Sequence, residues 1–468
     1  MQRIAIIGGG AAGSAVVAQF LRGATDDDAS GCALTWIVGE RAPGRGVAYD
    51  TADAQHLLNV RAANMGLFAD RPGDFLDYAI AHGVAASGAD FLPRSLYGDY
   101  VEATLAELLA ATQRRVTLAA RTTEAVAIRP RADGGFEVRT RAGEDLAVDA
   151  AVLAIGALPP AALPGVAAAA LESGAYAVDP WRWPLPKRPP GHVLIIGTGL
   201  TGVDALLTAA ARWPRAQLTA VSRRGRLPAL HSEAPLPPYA HADALIAQLR
   251  ESDRLVDWLH RVRAAAAAPG VDWRSVLDAL RAETPRLWQT LDLVQRARFL
   301  RHLRPQWEVL RHRIPVRTAA KIHALQESGR LRIIAARVRR IDGDDAQLTA
   351  ELQPRAGAGV LTLAADFVIQ ATGLESAAAS TPHALVRQLI DERVVAADPL
   401  GLGFAAHADG RLLRPDGSAW TGLRALGTLL RGAVWECTGM PEIRSLARVI
   451  AHDIAHAPQP PARRAAVV

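Results

Sequence analysis

The chain has 468 residues, half of them hydrophobic and 21% charged, with a formal net charge of +6. That length points to two or three globular domains, and acids and bases are interspersed with no basic stripe alternating with aromatics, which argues against a nucleic-acid partner. Lysine is confined to Lys187 and Lys321 and cysteine to Cys32 and Cys437, so Schiff-base chemistry, a dithiol redox centre and a zinc knuckle are disfavoured and no metal site is expected.

The first predicted element is a buried parallel strand, Ile4-Ala5-Ile6-Ile7, running into Gly8-Gly9-Gly10-Ala11-Ala12-Gly13 and then Ala-rich, helix-compatible sequence. Strand, tight turn and helix in that order make a phosphate cradle. Gly8 makes the turn, Gly10 lets backbone approach a pyrophosphate, Gly13 lets the helix pack closely, and the free N–H groups around Ala11 and Ala12 face the phosphates. The uncharged stretch from Ile4 to Leu21 has the length of a signal peptide or membrane span, but its glycines and Gln19 fit the turn better, so a soluble, cytoplasmic protein without a membrane partner is expected. A second strand, Leu34–Val38, ends just before Glu40, where a carboxylate would accept hydrogen bonds from an adenosine ribose, with Arg41 beside it. This suits the ADP half of FAD, or NAD. A further strand over 149–156 ends at Gly156, another candidate cofactor contact, and Ala157-Leu158-Pro159-Pro160 breaks it.

The Pro-rich run Trp183–Pro190 reads as a linker, so a second nucleotide domain begins near Gly191. Strand Val193–Ile196 feeds a second cradle, Gly197-Thr198-Gly199-Leu200-Thr201-Gly202. Its next strand, Leu218–Val221, ends in Ser222-Arg223-Arg224 with no acid nearby, and guanidinium donors there suit a 2′-phosphate, hence NADP over NAD. Residues 241–313 read as an all-α insertion: Leu255, Trp258, Leu259 and Val262 share one helical face, and Leu293, Ala297, Leu300 and Leu303 another. The insertion ends in Arg296, Arg298, Arg301, His302, Arg304, Arg311, His312 and Arg313. A regular helix puts Arg298, Arg301 and His302 on one face, able to bind a substrate carboxylate or NADP phosphates, or simply to face solvent and answer acids such as Glu308. Asp366–Gly373 repeats the strand-then-Gly pattern, and Gly373 is a candidate NADP contact.

The fold class is therefore α/β, with two Rossmann-like dinucleotide-binding domains and an all-α insertion. The expected layout is FAD domain over 1–180, NADP domain over 191–345, a return to the FAD domain over 346–456, and a mobile tail over 457–468.

Five segments carry a family resemblance: Gly44-Arg45-Gly46-Val47-Ala48-Tyr49, His56-Leu57-Leu58-Asn59-Val60, Pro93-Arg94-Ser95-Leu96-Tyr97-Gly98, Arg298 to Arg304, and Trp435 to Arg444. Together they resemble the bacterial FAD/NAD(P)-binding proteins, over nearly the whole chain. That family is similar to class B flavin monooxygenases and amino-acid N-hydroxylases. The resemblance implies FAD at Gly8, Gly10, Gly13 and Glu40, with Asn59 and Met65 near the flavin and a last contact around Gly427 or Pro441.

It also implies an NADPH-dependent monooxygenase acting through a flavin C4a-hydroperoxide on molecular oxygen, N-hydroxylating an amino acid or other small anionic amine. The alternative is a flavin-dependent NADPH reductase that incorporates no oxygen. Asp366 and Ala371-Thr372-Gly373 match the late-strand pattern of N-hydroxylases, but Leu374 stands where they carry Tyr, and the Phe-x-Gly-x-x-x-His signature of Baeyer–Villiger enzymes is missing. No side chain is obliged to act as acid or base in this chemistry. Arg301, His302 and Arg444 are the candidates for a substrate carboxylate, which needs a desolvated bidentate partner.

Overall fold

A computed structural model describes all residues except 24–30, 113–115, 185, 358 and 458–468. The expected tail thus lies almost wholly outside the described residues, as does Leu185 of the Pro-rich linker.

Apolar, fully buried strands need cover on both faces, and the chain supplies it in two parallel-sheet layers. The first sheet has six strands in the spatial order Arg411–Leu413, Ala419–Ala425, Ala150–Leu153, Gln2–Ile7, Cys32–Ile37, Val116–Arg121. All its pairings are parallel except that between the first two. Helices Ala11–Gly23 and Met440–Ala455 pack together on one face over a core that includes Ile4, Val16, Leu34 and Ile450. The other face packs against Phe136, Val138, Leu385 and Phe404, contributed by a small antiparallel sheet (Ala125–Pro130, Phe136–Thr140, Asp145–Val148) and the late chain.

The second sheet has seven strands, ordered Leu361–Ala365, Leu348–Pro354, Leu331–Gly343, Gln217–Ser222, His192–Ile196, Phe367–Gln370, Tyr176–Ala177. This moves two expected boundaries. The strand Tyr176–Ala177 pairs in parallel with Phe367–Gln370, so the chain has left the first domain before residue 180. The return expected at 346 falls after Gly373, because the hairpin strands Leu348–Pro354 and Leu361–Ala365 extend the second sheet and Phe367–Gln370 pairs with His192–Ile196 in its middle. Sheet membership depends on partners distant in sequence, and the repeated strand-then-Gly pattern does not say which sheet it joins. The two connections between domains run side by side, with the Leu158 N–H donating to the Glu375 carbonyl at 3.0 Å.

Residues 242–311 are helical segments joined by short turns, leaving the second domain at the carboxyl end of the strand Gln217–Ser222. In open α/β sheets ligands bind at that end. Leu255 is buried and Trp258, Leu259 and Val262 are half-buried, as their shared face requires. The other expected face is rearranged: Leu293 is exposed and Phe299 is the buried residue, because Phe299–Leu303 forms a π-helical turn that shifts the register. Such turns are frequent at functional sites.

Candidate functional site

Both cradles are built the same way. Gly8 has φ +120°, and a Cβ there would run into the carbonyl of Ala154; Gly197 has φ +124°, and a Cβ there would run into the carbonyl of Ala371. Each turn glycine therefore abuts the residue just past the neighbouring strand. Each also donates its N–H, Gly8 to the Ile37 carbonyl and Gly197 to the Val221 carbonyl, both at 2.8 Å. Gly13 and Gly202 lie so close to the carbonyls of Gly8 and Gly197 that no side chain fits. The middle glycines differ from these. Gly199 has open space where a Cβ would be, and Gly10 meets only the Gly46 Cα at 3.5 Å. A ligand's phosphates would need that open approach at the start of the helices Ala11–Gly23 and Leu200–Arg212. The residues present fit two dinucleotides on these grounds.

Around the first cradle, Gly44 donates to the Gly9 carbonyl at 2.8 Å, which draws the segment 44–49 over the loop. Glu40 is exposed beyond its strand, while Arg41 pairs with Asp50 at 3.0 Å. Gly156, with φ +74°, has open space beside it. Gly427, with φ +88°, lies against Ala12, where a Cβ would come 3.8 Å from the alanine methyl. Pro441 opens the helix Met440–Ala455, where a missing N–H costs nothing. Met65 is buried in the core and Asn59 half-buried, its carbonyl accepting from His231 Nε2 at 3.1 Å.

Around the second cradle, the hydroxyls of Thr198 and Ser222 meet at 2.8 Å, and Thr198 donates to the Arg226 carbonyl at 2.6 Å. This locks Ser222 against the glycine loop. Arg223 is exposed and Arg224 half-buried, and among the described residues neither guanidinium has an ion-pair partner. Leu200 and Thr201 are half-buried at the start of their helix, and Gly373, φ +97°, has open space around it.

A polar seam joins the two domains. Asp204, on the helix that follows the second cradle, pairs with Arg94 at 2.8 Å; both side chains are nearly buried, and burial raises the Asp204 pKa in spite of the arginine. One turn on, Thr208 donates to Asp53 at 3.0 Å and meets His56 Nε2 at 2.8 Å. His231 packs at a tilt against Phe91 with ring centroids 4.6 Å apart. Burial first, then the charge of Arg313, pushes its pKa down to about 3.

The cationic end of the insertion divides in two. Arg304, Arg311, His312 and Arg313 are answered by Glu308, Glu436, Glu442 and Asp278. Arg298, Arg301 and His302 are exposed, and no partner for them is found among the described residues. Arg444 is 7% exposed and donates to the carbonyls of Gly66 at 2.9 Å and Asn64 at 3.2 Å, so it props the loop beside Met65.

Sequence reasoning missed the role of Trp435. Its backbone has φ +55° and ψ −62°, and the Glu436 N–H donates to the Val434 carbonyl at 2.6 Å, which makes a γ-turn of the rare, strained kind. The ring stacks on Trp288 at 5.1 Å and meets the edge of Phe299 at 5.0 Å, docking the insertion on the returning chain. A tryptophan at positive φ leaves no sequence signal, since it is sparsely allowed there. Both cysteines are buried and their thiols raised by burial, Cys32 to about 11 and Cys437 to about 12, which makes them inert. Among the described residues no cluster of His, Cys, Asp or Glu could hold a metal, and no helix is long and apolar enough to cross a membrane.

Two Rossmann-like cradles, an all-α insertion at the ligand end of the second, and a first domain completed by the late chain define the two-dinucleotide-domain flavoprotein fold. Residues 5–158 match the FAD-NAD(P)-binding family model. No curated protein matches the sequence. Among solved structures, the chain is similar to the ornithine N-hydroxylase of Kutzneria sp. 744, recorded with reduced FAD, NADP+ and L-ornithine (14% identity, TM-score 0.63, 97% of this chain and 98% of that one). It is also similar to the L-lysine 6-monooxygenase of Pseudomonas syringae (18%, 0.61, 97% and 98%). A third is the FAD-bound cadaverine monooxygenase of the desferrioxamine pathway from Erwinia amylovora (14%, 0.60, 97% and 94%). At these identities the likeness is one of fold.

Proposed function

We propose that the protein is an NADPH-dependent FAD enzyme, an oxidoreductase that uses molecular oxygen to hydroxylate the nitrogen of an amino acid or another small anionic amine. The observation that carries this reading is the pair of matched cradles, each with its middle glycine open to a ligand. The fold shared with N-hydroxylating monooxygenases, over nearly the full length of each, supports it.

In this reading the N–H groups following Gly8 and Gly10 hold the FAD pyrophosphate, Glu40 accepts from the ribose, and Asn59 and Met65 flank the flavin. Gly199, Leu200 and Thr201 receive the NADPH pyrophosphate, and Ser222, Arg223 and Arg224 its 2′-phosphate. Arg301 and His302, exposed and without partners among the described residues, are available to a substrate carboxylate. Bound FAD supplies the redox and oxygen-transfer chemistry, while the protein orients the reactants and excludes water.

A second reading, an NADPH reductase that incorporates no oxygen, is favoured by Leu374, which is 49% exposed where N-hydroxylases carry Tyr. The deciding experiment records the visible spectrum of the purified protein, its anaerobic bleaching by NADPH, and then oxygen uptake against product with a panel of amino acids. Hydroxylated product matching the oxygen consumed is expected. Hydrogen peroxide alone would select the reductase, and a colourless protein that FAD cannot reconstitute would overturn both.

A further inference from the structure

Where the insertion meets the returning chain, two arginines share a single carboxylate. Arg304, at the start of the helix Arg304–Arg311, and Arg431, at the start of the short helix Arg431–Val434, share the ring of Trp435. Their guanidinium carbons lie 6.0 and 4.4 Å from its centroid. Both guanidiniums reach one carboxylate oxygen, Glu308 Oε1, at 3.4 Å from Arg304 and 2.6 Å from Arg431. The other oxygen lies 3.3 Å from His312 Nε2. The nearby Glu436 is engaged by Arg311 and Trp307. Among the described residues, Glu308 is the one carboxylate paired with both arginines.

Burial and then the charge of Arg431 depress the Arg304 pKa, and Arg223 adds a smaller push in the same direction. The Arg304 side chain is 40% exposed, so the cluster opens to solvent.

We propose that Arg304 and Arg431, set against Trp435, form a seat for an oxyanion of the bound reactants, either the 2′-phosphate of NADPH or a carboxylate of the substrate. This rests on the flavoenzyme reading above. The chemistry follows from three features. Guanidinium forks match oxyanions bidentately, the indole face restrains both cations, and Glu308 neutralises only part of their charge.

The test is calorimetric titration of the FAD-loaded protein with NADP+, NAD+ and succinate, in wild type and in Arg304→Gln, Arg431→Gln and Glu308→Gln. A loss of about tenfold or more in NADP+ affinity in both arginine variants, with NAD+ unchanged, assigns the seat to the phosphate. The same loss for succinate, with NADP+ unchanged, assigns it to a carboxylate. Glu308→Gln, which removes the negative charge both guanidiniums share, is expected to tighten whichever probe the seat binds. A merely structural cluster would not tighten in this way. The proposal is overturned if the wild type binds none of the probes, if the arginine variants bind all three within twofold of wild type, or if Glu308→Gln brings no gain. Flavin retention and NADPH bleaching are read on the same samples: their loss in wild type removes the flavoenzyme reading, whereas their presence with unaltered anion binding removes only the seat.

Discussion

At the scale of single residues, the two kinds of glycine in a cradle make opposite demands. Gly202 has the Gly197 carbonyl where a methyl would go, whereas Gly199 has ordinary φ, −77°, and open space. Gly202→Ala is therefore expected to lower thermal stability. Gly199→Val should leave the unfolding midpoint unchanged yet weaken NADPH binding by at least tenfold, which ligand titration and a thermal melt on the same preparations would separate. Arg223 and Arg224 make a second residue-scale prediction. Charge-assisted hydrogen bonds contribute about 1.5–3 kcal/mol, so Arg223→Gln with Arg224→Gln should raise the KM for NADPH by about ten- to a hundredfold and leave that for NADH unaltered. Equal effects on both coenzymes would remove the 2′-phosphate assignment. At Trp435 the backbone strain costs about 1–3 kcal/mol; the stacked contact with Trp288 and the edge contact with Phe299 offset it with about 0.5–1.5 kcal/mol per aromatic pair beyond area burial.

Elements dock here through paired polar groups as much as through apolar contact. The helix Leu200–Arg212 is anchored to the first domain by Asp204 on Arg94 and, one turn later, by Thr208 between Asp53 and His56. Asp204→Ala leaves a buried guanidinium without its carboxylate and should destabilise by about 3–5 kcal/mol in urea denaturation. Replacing both partners, Arg94→Met with Asp204→Leu, should recover most of that loss, because the cost lies in the stranded charge. If the double variant is as unstable as the single one, the pair contributes more than charge balance. The π-helical turn Phe299–Leu303 belongs to this scale as well: it buries Phe299 against Trp288 and Trp435 and leaves Arg301 and His302 exposed.

Across the whole molecule, the interface between domains is sensitive to acid through His231. Its folded pKa is depressed to about 3 from an ordinary 6.5, so below about 6.5 the unfolded chain takes up a proton that the folded one refuses. The stability His231 contributes is thus present above pH 6.5 and lost as pH falls from there towards 3. His231→Gln keeps a donor for the Asn59 carbonyl but does not titrate, so the difference in Tm between wild type and variant should narrow over that range. A difference independent of pH would mean that His231 is not held neutral in the folded protein.

Both cradles were legible in the amino-acid sequence because the information is contiguous: an apolar strand, a glycine-rich turn of six residues and a helix, each acting on its immediate neighbours. The arginines after the second strand, and the lack of an acid there, could be read for the same reason. Tertiary structure alone decided which sheet the strand Phe367–Gln370 joins and that Arg444 turns inward to prop the loop at Asn64 and Gly66. It also decided that Glu308 is shared by Arg304 and Arg431, the latter 123 positions away. Strand partners and charge partners are chosen by proximity in space, and residues far apart in the chain carry no local mark of where folding will bring them.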